Sequence, residues 1–179
     1  MKSVMKRLFP DAFQPGSAAE KKSIIISSII SVVMLAVDQL TKIAVMHSFK
    51  LGESRSVIEG VFSWTYVRNR GAAWGILAGR TWLLLLTAVV VAALTVKFFR
   101  KLTEGYSERI FALLLVLSGI VGNSIDRIWH GEVIDFIDFH YYDMWSYPVF
   151  NVADIAICTG VGVYMLSNLL RKSPKEEQK

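Results

Sequence analysis

The sequence is poor in the side chains on which disulfide-stabilised proteins and many metal sites depend. It contains a single cysteine, Cys158, so a disulfide framework and a cysteine metal site are excluded. Cys158 lies in an apolar segment, and we expect a packed thiol there. The three histidines, His47, His130 and His140, lack the HExxH spacing, which argues against a zinc hydrolase. The sequence predicts neither a metal nor a cofactor.

Long apolar segments dominate the rest of the chain, in which 53% of the 179 residues are hydrophobic. A helix needs about 20 residues to cross the hydrocarbon core of a bilayer. Four blocks reach this length, two of them with flanking residues added: Ile24–Val45, Trp82–Val96, Ile110–Ile125 and Val149–Leu170. The first block exceeds the roughly 7–15 apolar residues of a cleaved signal segment, so we expect it to be retained. The sequence therefore predicts a mainly α-helical membrane protein with a bundle of four transmembrane helices.

The lysines and arginines predict how these helices are oriented. Five precede the first block, four lie between the second and third, and four follow the last. Because such residues accumulate on the cytoplasmic side, both termini are predicted to be cytoplasmic. The predicted division is a cytosolic lead (1–23), a membrane domain (24–170) with outer loops at 47–80 and 126–148, and a basic cytosolic tail (171–179). Contact with anionic membrane lipids explains the basic ends without a nucleic acid partner.

The first outer loop contains a strand pattern. From Val61 to Arg68, aromatic residues alternate with polar ones, which predicts a small extracytoplasmic β-element after the first helix. Small residues follow, including Gly71. They allow either tight packing or close contact with a substrate, and the pattern leaves both open.

Polar residues occur inside three of the apolar blocks. Asp38 and Lys42 are four residues apart and can pair on one helix face. A structural ion pair is the simpler interpretation and a direct role in chemistry the alternative, with Lys42 reaching toward the outer headgroups. In the third block, Gly119 and Gly122 allow a neighbouring helix to pack closely. Asn123 and Asp126 share a face of that block, and Arg127 can neutralise Asp126 or reach a nearby carbonyl or phosphate. Asp126 is interpreted as a structural anchor.

Two further aspartates are better candidates for chemistry. Asp135 is flanked by apolar residues, so desolvation is expected to raise its pKa. Asp154 follows Asn151 by three residues, near the outer start of the fourth block. Asp138 and Asp143 are interpreted as solvated or structural. At about 1.5 Å per residue, the polar residues of three independent helices reach the same outer third of the bilayer. This agreement in depth indicates that these polar residues form one functional site.

A pair formed by Asp135 and Asp154 could activate water. Two carboxylates about 4 Å apart repel by about 4 kcal/mol at an effective dielectric of about 20. They can then share one proton near neutral pH, so that one takes a proton from water while the other donates to a carbonyl oxygen. Two alternatives remain: a small ion-binding transporter, against which the absence of an internal repeat counts, and a non-enzymatic assembly factor.

Five motifs, VDQLTK, NRGAAWGI, GNSIDR, GEVIDFIDFH and FNVAD, occur in this order around the four blocks. With these motifs in this order, the chain closely resembles the bacterial lipoprotein signal peptidases, also called signal peptidase II. The resemblance implies an aspartic endopeptidase of the bacterial inner membrane, with its active site near the outer face. Such enzymes remove the signal peptide from diacylglyceryl-modified prolipoproteins, just before the lipidated cysteine. Nothing requires more than a monomer.

The resemblance also implies residue roles. The family's catalytic pair matches Asp135 and Asp154. Its supporting polar residues match Asp38, Lys42, Asn69, Asn123, Asp126, Arg127 and Asn151. The chain departs from the usual pattern at Trp74, Ser118 and Ile155, and only Ile155, where serine often follows the catalytic aspartate, affects the surroundings of the pair.

Overall fold

A computed structural model describes residues 16–72, 76–142 and 144–171. Trp74 and Asp143 lie outside these ranges, as do most of the predicted cytosolic lead and all but one residue of the basic tail. The described helices are α1 (Ala18–Ser48), α2 (Thr81–Lys97), α3 (Phe99–Thr103), α4 (Ser107–His130) and α5 (Val152–Leu170).

Three of these helices, α1, α4 and α5, are long and apolar enough to cross a membrane. Helix α2 has 17 residues and is also apolar. At about 1.5 Å per residue it extends about 25 Å, somewhat less than a hydrocarbon core of about 30 Å. The mainly helical membrane fold is confirmed, whereas the crossing of the membrane by α2 stays a prediction.

Helix α4 packs closely against α1 and α5 because glycines lie at the contacts. A Cβ atom at Gly119 would collide with the carbonyl oxygen of Ala153 on α5, and one at Gly122 would lie 2.6 Å from Oδ2 of Asp38 on α1. The predicted small-residue stripe is therefore confirmed as a helix contact surface. It brings the polar residues of the three helices within hydrogen-bonding distance of one another.

A four-stranded antiparallel sheet forms from residues of both predicted outer loops. Its order is β1 (Ser54–Ile58), β2 (Phe62–Asn69), β3 (Val133–Tyr141) and β4 (Trp145–Ser146). The predicted strand corresponds to β2, but the expectation of a β-element confined to the region after the first helix was incomplete. The central partner of β2 is β3, which the chain reaches more than 60 residues later, so local alternation could not identify the pairing.

The register of this sheet places two predicted site residues together. Val67 lies opposite Asp135, and Asn69 lies opposite Val133. The first five residues of β3, from Val133 to Ile137, are buried, and several of them pack with Val45 of α1 and Tyr66 of β2. Asp135 is thus held in an apolar layer between the sheet and the C-terminal end of α1.

Two helix ends differ from the sequence-based boundaries. Helix α4 continues to His130, past the predicted start of an outer loop at residue 126, and ends at Gly131, whose φ of 75° suits glycine. Helix α5 begins at Val152 rather than at Val149, where the fourth apolar block starts, because Phe150 forms a bridge to Ile137 and Asn151 caps the helix.

Candidate active site

A cleft lies between the start of β3, the segment after β2, and helices α4 and α5. It is open on one side, with about 650 Å³ of space between its walls. Both predicted catalytic aspartates line it, together with Asn69, Gly71, Asn123 and Arg127. The sequence-based grouping of these six residues matches a single cavity.

Asp135 has an environment that favours its neutral form. Its side chain is buried, with 1% of the residue exposed. Its Oδ1 accepts a hydrogen bond from Asn151 Nδ2 at 2.7 Å, and its Oδ2 accepts one from Asn69 Nδ2 at 3.0 Å. Burial, followed by the charge of Asp154, raises the pKa of Asp135 to about 7, although the two asparagine bonds act in the opposite direction.

Asp154 lies in the first turn of α5, where a capping box fixes it. The backbone N–H of Asn151 donates to Oδ2 of Asp154 at 3.1 Å, and the N–H of Asp154 donates to Oδ1 of Asn151 at 3.0 Å. The other carboxylate oxygen, Oδ1, accepts from Asn123 Nδ2 at 2.8 Å. Both oxygens of Asp154 are therefore held in defined positions.

Two buried asparagines link the carboxylates. Asn151 Nδ2, which binds Asp135, also donates to Oδ1 of Asn123 at 3.0 Å, and Asn123 in turn donates to Asp154. The resulting sequence of contacts is Asp135, Asn151, Asn123, Asp154. Each amide uses its oxygen and its NH₂ group for different partners, so the orientation of one carboxylate is coupled to that of the other.

Lys42 lies at the centre of a second group of polar contacts. Its Nζ is 2.9 Å from Asp38 Oδ2 and 2.8 Å from Asp126 Oδ2, and it donates to Asn123 Oδ1 at 3.1 Å. The predicted pairing of Asp38 and Lys42 is confirmed. One expectation was wrong, because Lys42 is buried rather than reaching toward the headgroups. Of the two roles left open for Arg127, the pairing with Asp126 is made by Lys42 instead.

The two carboxylates bound to Lys42 also hold the backbone that carries the cleft aspartates. Oδ1 of Asp38 accepts from the N–H of Ala153, next to Asp154, at 2.8 Å. Oδ2 of Asp126 accepts from the N–H of Ile134, next to Asp135, at 3.2 Å. The ion pairs of Lys42 are therefore linked to Asp154 through its neighbour Ala153, and to Asp135 through its neighbour Ile134.

Arg127 and Asn69 fix the glycine segment at the rim. Arg127 donates from Nη2 to the carbonyl oxygen of Gly71 at 3.0 Å, and Asn69 Oδ1 accepts from the N–H of Gly71 at 2.9 Å. Arg127 thus takes the carbonyl-binding role that the sequence had left as an alternative. Gly71 is buried with its backbone facing both residues, which favours a packing role without removing it from the cleft wall.

The sequence analysis missed one residue of the site and predicted the wrong environment for another. Gln39 was missed: its Nε2 donates to Asp38, to the carbonyl oxygen of Gly122 and to Asp126. A polar amide inside an apolar block was the available signal. Cys158 is exposed along the cleft rather than packed. Asp138 binds Thr65 Oγ1 at 2.7 Å and is not among the residues that line the cleft.

No group of three or more His, Cys, Asp or Glu side chains that could hold a metal ion occurs in the part of the chain that the structure describes. Long apolar helices, a small sheet at their end and a buried polar cleft define this protein as an integral membrane protein with an enzyme-like site.

Residues 30–170 match the family model described as signal peptidase (SPase) II. The chain belongs to this family, which confirms the resemblance carried by the five motifs and makes it a peptidase.

Individual relatives agree with this assignment. The chain is 40% identical over 153 residues to a lipoprotein signal peptidase of Halalkalibacterium halodurans, covering 83% of this chain and 96% of that one. It is 44% identical over 145 residues to a lipoprotein signal peptidase of Geobacter metallireducens, covering 79% and 88%. A bacterial membrane enzyme solved by the in meso method at 2.3 Å superposes with a TM-score of 0.75 at 36% identity, over 80% of this chain and 87% of that chain.

Proposed function

We propose that this protein is an aspartic endopeptidase that removes the signal peptide from diacylglyceryl-modified prolipoproteins, cutting just before the lipidated cysteine. The observation that carries the proposal is that Asp135 and Asp154 line one cleft and are bridged by Asn151 and Asn123. The names of the relatives point to lipoprotein precursors as substrates.

The proposal includes a location and an orientation. The enzyme is placed in the bacterial inner membrane as a monomer, with α2 as a fourth span, both termini cytoplasmic and the cleft near the outer face. The basic residues before the first apolar block, between the second and third blocks, and after the fourth support this orientation. The sheet, which follows the outer end of α1, then lies on the outer surface beside the cleft.

The chemistry follows from a pair that holds one proton. Asp154, ionised, takes a proton from a water molecule, and the resulting hydroxyl attacks the carbonyl carbon of the scissile amide. Asp135, protonated, gives its proton to the carbonyl oxygen, so a neutral tetrahedral diol forms. The proton on Asp154 then passes to the amide nitrogen, the C–N bond breaks, and a diol hydroxyl returns its proton to Asp135. The side chains end in their starting state.

This assignment predicts the pH dependence of cleavage. Asp135 acts as the acid, and its pKa is raised to about 7. We expect kcat/KM to fall as the pH rises through about 7, by about tenfold per pH unit beyond it, because the protonated fraction falls in that proportion. The measurement is a pH–rate profile with a lipidated peptide, accompanied by unfolding at each pH to exclude loss of the fold. A rate that stays constant or increases between pH 7 and 9 would contradict the role of Asp135.

The substrate class is tested by cleavage of one prolipoprotein in two forms. The purified enzyme is mixed in detergent micelles with the precursor before and after diacylglyceryl transfer to its cysteine. We expect cleavage of the lipidated form alone, with a new N-terminus at the lipidated cysteine. Equal cleavage of both forms would overturn the lipid requirement, and cleavage of neither would overturn the proposed function.

A further inference from the structure

A second pocket adjoins the cleft on the side of Asp135. It is open to solvent and encloses about 750 Å³, and its wall includes Val67, Asn69, Pro148 and Val149. Asp135 lines both this pocket and the cleft. A peptide bond positioned at Asp135 therefore has direct access to the second pocket.

Two arginines distinguish this pocket from the cleft. Arg68 and Arg70 both line it and are two residues apart at the end of β2. Arg68 donates from Nε to the hydroxyl of Tyr66 at 3.0 Å, and Arg70 donates from Nε to Oε1 of Glu132 at 2.6 Å. A guanidinium has five N–H donors, and these two bonds use only the Nε of each arginine, so the N–H groups of the terminal fork take no part in them. The side chain of Arg70 is 75% exposed, so solvent or a ligand can reach that fork.

The charge of this corner is positive. Two guanidinium groups share one ion-paired carboxylate, that of Glu132, while Tyr66 contributes only a hydroxyl. Asp135, which also lines the pocket, carries the proton of the aspartate pair in the proposed mechanism. Arginine binds carboxylates in a two-pronged geometry, which makes it well suited to recognise aspartate or glutamate.

The opposite side of the cleft has a different character. A pocket on the side of Asp154 is lined mainly by apolar side chains, namely Phe139, Trp145, Tyr147, Phe150 and Ile155, with Thr159. Part of this lining belongs to α5, one of the helices long and apolar enough to cross a membrane. The cleft thus has an apolar side continuous with a membrane helix and a cationic side formed by the sheet.

We propose that the Arg68–Arg70 pocket binds the polypeptide that follows the lipidated cysteine, and that it favours acidic residues there. The inference rests on the proposed function. The signal segment and the acyl chains of the substrate are apolar and belong with the bilayer, whereas the chain after the cysteine is polar and continues into water. The cationic pocket offers that chain a polar route away from the aspartate pair.

The test uses lipidated peptides that differ at the first two residues after the cysteine. One carries glutamate at both positions, one lysine and one alanine. We expect the wild-type enzyme to cleave the glutamate peptide about tenfold more efficiently than the lysine peptide, because attraction and repulsion each contribute the modest effect of an exposed charge pair. The ratio should fall as salt is raised.

Variants separate this pocket from the catalytic machinery. In Arg68→Gln/Arg70→Gln the glutamate-to-lysine ratio should fall to near one, and in Arg68→Glu it should fall below one. Any effect of these substitutions that is common to all the peptides cancels in the ratio, so the ratio reports on the choice between acidic and basic residues rather than on catalysis. The matched control is Arg55→Gln, which removes an exposed arginine paired with Glu53 on the same sheet and should leave the ratio unchanged.

The outcomes are distinguishable. If the wild-type enzyme cleaves all three peptides equally well, or if the arginine variants keep the wild-type ratio, the pocket does not select acidic residues and the inference is overturned while the peptidase proposal stands. If the wild-type enzyme does not cleave the alanine peptide, the proposed function fails and the inference with it.

Discussion

Replacing Asp154 by asparagine is expected to lower the rate of signal-peptide cleavage by about a thousand-fold, within the range that a positioned proton-transfer group contributes. Asparagine has nearly the same shape but cannot take a proton from water. Asp135→Asn should have an effect of similar size, because the neutral amide cannot donate a proton to the carbonyl oxygen. The measurement is kcat/KM with a lipidated prolipoprotein. The double variant should be little worse than either single one, since the two carboxylates act as a unit.

The matched control for these variants is Asp138→Asn. Asp138 belongs to the same strand as Asp135 and also accepts a hydrogen bond, from Thr65, but it does not line the cleft. We expect its activity to remain within about threefold of wild type, as for a substitution remote from the reacting groups. Near-normal cleavage by either cleft variant, or an equally inactive Asp138→Asn, would contradict the assignment of the pair.

Lys42→Met is expected to produce the largest loss of stability in the chain. The substitution leaves two buried carboxylates, Asp38 and Asp126, without their shared cation. Removing one partner of a buried ion pair typically lowers the free energy of unfolding by about 3–5 kcal/mol. The expected result is a large decrease in folded protein and in the unfolding temperature in detergent micelles. Activity should fall with it, because both carboxylates also hold the backbone beside the cleft aspartates.

Two comparisons define the cause of this loss. Lys50→Met removes an exposed lysine just after α1 and should leave the unfolding temperature nearly unchanged. Adding Asp126→Asn to Lys42→Met removes one of the two unpaired charges and should recover part of the lost stability. If Lys42→Met is as stable as Lys50→Met, the buried ion pairs do not stabilise the fold as described. If the second substitution makes the protein less stable still, the loss does not come from the uncompensated charge.

Much of the site could be predicted because its residues interrupt strong patterns. Asp38, Asn123 and Asp154 lie in apolar blocks where a polar side chain needs a partner. Their agreement in depth followed from helix geometry alone. Asp135 was distinguished from Asp138 by its apolar neighbours and by the alternation of a strand, and the structure places the two in different environments.

The remaining features depend on contacts between distant parts of the chain. The pairing of Lys42 with Asp126 joins residues 84 positions apart, and the sequence offered the adjacent Arg127 as an equally good partner. The pairing of β2 with β3 is set by the packing of both strands on α1, which no local pattern records. The fourth apolar block begins at Val149, before the start of α5, because apolar residues continue past the helix boundary, whereas the bridge at Phe150 keeps that segment out of the helix.

The order in which the cleft residues occur along the chain has a consequence for biogenesis. Asn69 and Asn123 precede Asp135, but Asn151 and Asp154 arrive only with α5, the last described helix. Chains are synthesised and inserted from the N-terminus, so the carboxylate pair is absent until α5 has docked against α4. If the pair is catalytic, as proposed, a chain that lacks α5 is expected to be inert. Under the proposed function, precursor proteins that share its insertion route do not meet a half-assembled protease.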